Sequence, residues 1–111
     1  MSDVDRFDVR IIEQAEREMD AYYGWVIDRH SQPLNALAWI EGLERLIESL
    51  DFMPTRFPVH IDDGPRPIHR THYHSHLLFY EVVAEDRVVR VLCLWHAHRD
   101  TEPNLQSRQA P

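Results

Sequence analysis

The chain changes its hydrophobic period along its length, and the changes mark its elements. "RFDVRII" alternates, with Phe7, Val9 and Ile11 on one side, the period of a half-buried strand. From Glu13 the apolar positions become Ala15, Met19, Tyr22, Tyr23, Val26 and Ile27, three and four apart. Glu13, Glu16, Arg17, Glu18 and Asp20 occupy the other side. That spacing predicts an amphipathic helix, and acids in its first turns suit the positive end of the helix dipole. "RHSQP" interrupts the pattern, with Ser31 or Gln32 just outside a second helix and Pro33 at its first position. The second stripe is Leu37, Ile40, Leu43, Leu46, Ile47 and Leu50. Gly42 costs up to about 1 kcal/mol of helix propensity there, which close approach of the first helix would explain. Helices joined by so short a link are expected to form an antiparallel hairpin.

The stretch "DFMPTRFPVHIDDGPRP" reads as a loop, because its prolines remove the backbone donors a strand needs. Three strand-like segments follow, "IHRTHY", "HLLFYEVV" and "RVVRVLCLW", rich in Val, Leu, Phe and Tyr. "YHS" turns the chain between the first two, and "AED" between the last two. Leu78, Tyr80 and Val82 share one face, expected under the helices, and Glu81 falls on the other. Val89, Val91, Cys93 and Trp95 form one apolar set, so Arg90 points to an open face that Arg70, His72 and Glu81 could share. Residues 101–111 have no periodicity and are expected to be a loose tail after a single domain spanning residues 1–100.

Composition narrows the class. With 111 residues and 43% hydrophobic content, the chain has material for one core. An acidic N-terminus and the absence of an apolar run near about 20 residues argue against a secretory leader or a membrane span, so a soluble cytoplasmic protein is expected. The single cysteine, Cys93 in "VLCLW", excludes an internal disulfide and reads as a small buried hydrophobe. The net charge is −7 and every basic side chain is arginine. The first fifty residues hold five arginines against eleven acids, and the rest seven against eight. Such a balance is poor for non-specific binding to phosphate backbones.

The order strand, helix, helix, three strands, carried by "AEREMDAYYGWVIDR", "ALAWIEGLERLIESLDFMPTRFP" and "HLLFYEVVAEDRVVRVLCLWHAHRD", resembles the RelE/ParE superfamily of bacterial toxins over residues 7–100. The matching positions are Ala15, residues 50–54, Tyr80, and His96 followed by Arg99 and Asp100. The resemblance implies an α+β, two-layer fold: β-α-α-β-β-β, with a helical hairpin on one face of a mostly antiparallel four-stranded sheet of order 1-4-3-2. It further implies the toxin half of a type II toxin-antitoxin pair, a plasmid stabilisation protein neutralised by a cognate antitoxin. Some relatives cut mRNA on the ribosome, and the ParE branch poisons DNA gyrase. An acidic chain without lysine departs from the basic, ribosome-dependent members and favours the ParE-like reading.

"HRTHYHSHLLFY" supports three readings. His69, His72, His74 and His76, joined by His96 or His98, are a compositional metal candidate, weakened by the turn that breaks their alternation, and no metal or other cofactor is assigned. Arg70, His72, His96 and Arg99 are the candidate catalytic groups of a RelE-like endoribonuclease, with histidine moving the ribose proton and arginine holding the phosphate. In the third reading the imidazoles coat the polar side and turns of a half-buried sheet. For a ParE-like toxin, Tyr80, Glu81, Arg90 and Asp100 are the candidate partner-binding positions, on a sheet face and edge open to the antitoxin.

Overall fold

A computed structural model describes residues 6–29 and 33–111. The N-terminal residues 1–5 and the capping link at residues 30–32 fall outside the described residues. Strand β1 (Asp8–Ile11) leads into helix α1 (Glu13–Arg29) and helix α2 (Pro33–Glu48). Strands β2 (Val59–Ile61), β3 (Ile68–Tyr73), β4 (His76–Val83) and β5 (Val88–His96) follow. No helix among the described residues is long and apolar enough to cross a membrane.

Among the described residues the sheet has five strands rather than four, in the order β1-β5-β4-β3-β2. β1 runs parallel to β5, and the other pairs are antiparallel. The first strand lies beside the last, as expected, and the difference is the added edge strand β2 from the segment read as a loop. Its prolines are tolerated because β2 is short and uses only its β3 side. There the Arg70 N–H donates to the Pro58 carbonyl at 3.0 Å.

The helices cover one sheet face. Ala15 and Met19 of α1 and Leu43 and Ile47 of α2 pack with Leu50 against Leu78, Tyr80, Val89, Val91 and Leu94. Each fully buried leucine there contributes about 1.5–3 kcal/mol relative to exposure. Toward the hairpin link the stripes leave the core: Trp25 is nearly half exposed, and Ile27, Leu34 and Leu37 are half or more exposed. Gly42 does admit a close neighbour, but that neighbour is Tyr73 of β3 and not α1. A Cβ at Gly42 would lie 2.3 Å from the Tyr73 hydroxyl oxygen, which donates to the Trp39 carbonyl at 2.6 Å.

The opposite face is not bare. Residues 101–111, expected to be loose, lie over it and seat Leu105 against Ile68, Phe79, Leu92 and Cys93 in a second, smaller core. Polar groups fix the segment. The Ala110 N–H donates to Glu81 at 3.0 Å, Gln109 donates to the Arg66 carbonyl at 2.9 Å, and Arg108 donates to the Leu92 carbonyl at 2.9 Å. A segment with one large apolar residue docks because charged partners on the sheet await its donors.

Candidate functional site

A bulge in β5 decides which side chains meet. Phe79 pairs with Cys93 but Tyr80 with Val91, so Leu92 is an extra residue opposite no partner. One inserted residue reverses the parity of all that follow it. Val89 and Val91 face the helices, but beyond Leu92 it is Leu94 that joins them, and Cys93 and Trp95 belong to the opposite core. The single apolar set Val89, Val91, Cys93 and Trp95 is therefore split. The same reversal puts His96 on the helix side, beside its cross-strand partner His76, with ring centroids 5.0 Å apart.

The four groups proposed for RNA cleavage are not brought together. Arg70 pairs with Phe79 and His72 with Leu77, both packed in the core under residues 101–111, so these two side chains rise from the face opposite His96. Arg99 lies beyond the end of β5, its guanidinium carbon 3.7 Å from the centre of the Trp95 ring. It borders clefts on both sides of the sheet.

The remaining histidines also diverge. His69 is buried on the helix side, its Nδ1 2.9 Å from the Phe57 carbonyl and its ring stacked on Tyr80. His74 makes the turn after β3 in the left-handed conformation, φ 52°. Among the described residues, no three His, Cys, Asp or Glu side chains group closely enough to hold a metal ion.

Two of the expected partner-binding positions are interior. Tyr80 is fully buried, its hydroxyl donates to the Pro54 carbonyl, and burial pushes its pKa up to about 12. Glu81 is fully buried on the other face and accepts from Arg66 at 2.8 Å, from Gln109 at 3.2 Å, and from Arg90. Burial pushes its carboxyl upward, but the hydrogen bonds from Ala110, Arg66, Arg90 and Gln109 outweigh this and hold it below the ordinary carboxylate value. Arg90 is engaged by its ion pair with Glu81, and Asp100 alone of the four is exposed.

What the fold does assemble is a pocket of about 430 Å³ between α1 and the His76–His96 end of the sheet, lined by Ala21, Tyr22, Trp25, His76, His96 and Arg99. The Tyr22 hydroxyl accepts the His96 backbone N–H at 3.2 Å, and the Tyr22 ring meets the His76 ring edge-on at 4.6 Å. His76 is 4% exposed, and neither of its ring nitrogens has a hydrogen-bond partner among the described residues. Burial, then His96 and His74, lower its pKa to about 4, so the ring is neutral at pH 7. Spacing placed Tyr22 only on the apolar stripe of the first helix. Nothing in "VLCLW" signals the bulge that delivers His96 to it.

A helical hairpin on one face of a five-stranded sheet, with β1 closing parallel to β5, is the architecture of the RelE/ParE toxins. The model for the ParE toxin of the type II toxin-antitoxin system parDE matches residues 9–101, and the chain belongs to this family. Its fold is similar to that in the chromosomal ParDE toxin-antitoxin system from P. aeruginosa (TM-score 0.68, 12% identity, 87% of this chain and 100% of that one). It is also similar to the archaeal RelE-RelB complex from Pyrococcus horikoshii OT3 (0.60, 16%, 85% and 98%). A third similar structure is a mutant of the E. coli toxin RelE in the free state (0.60, 17%, 93% and 93%). No curated protein matches the chain by sequence.

Proposed function

We propose that this toxin arrests growth by binding a protein target, with DNA gyrase the candidate, and that a cognate antitoxin neutralises it. The observation that carries this reading is the division of Arg70 and His72 from His96 by the sheet itself. General acid-base cleavage of RNA requires its groups within hydrogen-bond reach of one scissile phosphate. An acidic surface without lysine adds to the argument, since it gives a polyanion little to hold.

What the chain leaves uncovered supports a place for the antitoxin. The sheet face opposite the helices is occupied by residues 101–111, so docking falls to the free edges of β1 and β2 and to the exposed apolar residues Trp25, Ile27, Leu34 and Leu37. Backbone pairing at an edge and burial of such a patch are both established ways of capturing a partner segment.

The competing nuclease reading rests on His96 and Arg99 lining one pocket. Induction without antitoxin separates the two. A gyrase-directed toxin halts growth, and the purified protein inhibits supercoiling in vitro. A nuclease creates new mRNA ends that vanish in His96→Ala. Normal growth with folded, soluble protein present would overturn the toxin reading altogether.

A further inference from the structure

The pocket at the His76–His96 end of the sheet has an imbalance of hydrogen-bonding groups that specifies what it can hold. Among the described residues, its lining includes no carboxylate. The Nδ1 of His96 accepts the His98 backbone N–H at 3.1 Å, which leaves the hydrogen of that ring on Nε2 as a donor. The Tyr22 hydroxyl oxygen already accepts from the His96 backbone and so keeps its own proton to give. Arg99 makes no ion pair among the described residues and is held in place by stacking on Trp95. His76 adds a neutral imidazole, more than nine-tenths buried, with no partner at either nitrogen among the described residues. Buried polar atoms are rarely left unmet unless something else supplies their partners.

The rest of the wall is aromatic. Trp25 is 48% exposed, and the Arg29 guanidinium lies over its ring at 5.2 Å. Arg29 and Arg99 thus bring positive charge to this end of a chain whose net charge is −7.

We propose that this pocket captures a segment of a protein partner in which an aromatic or bulky apolar side chain stands beside a carboxylate. The side chain packs against Tyr22 and Trp25, and the carboxylate meets Arg99 and His96. A planar guanidinium suits a carboxylate, and a pocket of this size takes one large side chain with room for its flanking backbone. A polynucleotide would bring many phosphates to a chain of net charge −7 in exchange for Arg29 and Arg99 at this end, which disfavours RNA here. The proposal rests on the reading of the chain as an antitoxin-bound toxin, and it assigns the pocket to that partner.

The test uses N-acetylphenylalanine and its carboxamide as probes on the full chain, followed through the imidazole resonances of His76 and His96 by NMR. The acid should shift both saturably, and the carboxamide should bind at least about tenfold more weakly, the ratio expected for loss of one charge-assisted pair. Arg99→Gln should abolish the difference, and Trp25→Ala should weaken both probes. Both side chains are exposed, so these variants should fold. Equal binding of acid and carboxamide, absence of saturable shifts, or tighter binding of adenosine monophosphate than of the acid would each overturn the proposal. Growth arrest that persists while the probes fail to bind sinks the pocket and spares the toxin reading. Probe binding without growth arrest does the reverse.

Discussion

Arg108 reaches back across the fold to Glu18 of α1, its terminal nitrogens 2.8 and 3.1 Å from the two carboxylate oxygens. The same guanidinium donates to the carbonyl of Leu92, the bulged residue whose backbone has no ladder partner. One side chain thus ties the C-terminal segment, the first helix and the irregular point of β5. Arg108→Ala should lower unfolding free energy by about 2 kcal/mol, because it leaves a part-buried carboxylate and a buried carbonyl unmet. Urea denaturation measures this. An unchanged midpoint would mean that residues 101–111 do not hold the sheet face in solution.

Glu81 makes a sharper demand. Arg66 and Arg90 are mostly buried against it, so Glu81→Gln leaves Arg90 without its counter-charge and Arg66 with only its longer, 4.0 Å pair to Glu85, and should cost about 3 kcal/mol. The pH dependence has a definite sign. Because the folded carboxyl titrates below its ordinary value of 4.5, its contribution is complete above that value and is lost as the pH falls through the folded one. Glu81→Gln should remove this acid-limb loss, which denaturation series below pH 5 for both proteins would register.

Gly42 and Tyr73 should be coupled. Alanine at position 42 gains up to about 1 kcal/mol of helix propensity, but its Cβ would fall 2.3 Å from the tyrosine hydroxyl oxygen. Gly42→Ala is therefore expected to destabilise the protein, since Tyr73 must give up its bond to the Trp39 carbonyl to move. In a Tyr73→Phe background the same change should be neutral or stabilising. A double-mutant cycle with no interaction energy would contradict this account of the glycine.

These couplings show where sequence reading succeeds and where it stops. The helices were legible because Ala15, Met19 and Val26, and Leu43, Ile47 and Leu50, recur at helical spacing against charged outer faces. The Tyr80 side of β4 followed from alternation. β2 was hidden by prolines that only an edge position makes harmless. The bulge was hidden because "VLCLW" is apolar on either parity, so an added residue leaves no mark in the pattern although it moves His96 to the opposite face. The docking of residues 101–111 was hidden for a different reason: it depends on Glu81 and Glu18, residues distant in sequence whose charges give the segment no period of its own. The candidate pocket inherits the second of these, because the bulge is what delivers His96 to Tyr22 and Trp25, and it was not legible as a unit.

His76 should make the protein sensitive to mild acid. Its pKa is lowered from 6.5 to about 4, so between those values the unfolded chain binds a proton that the folded one refuses. Stability is then complete above about pH 6.5 and declines as the pH falls towards 4, by a total on the order of 3 kcal/mol. His96 and His74, the neighbours that disfavour the charge, act in the same direction. The window opens above that of Glu81, whose loss begins only below 4.5, so a loss between pH 7 and 5 belongs to His76 and not to Glu81. His76→Phe keeps an aromatic ring among Tyr22, Trp39 and His96 and removes the titration. Its unfolding free energy should change little between pH 7 and 5, where the wild type loses a measurable part. Equal losses in the two proteins would show that the buried imidazole is not the group responsible.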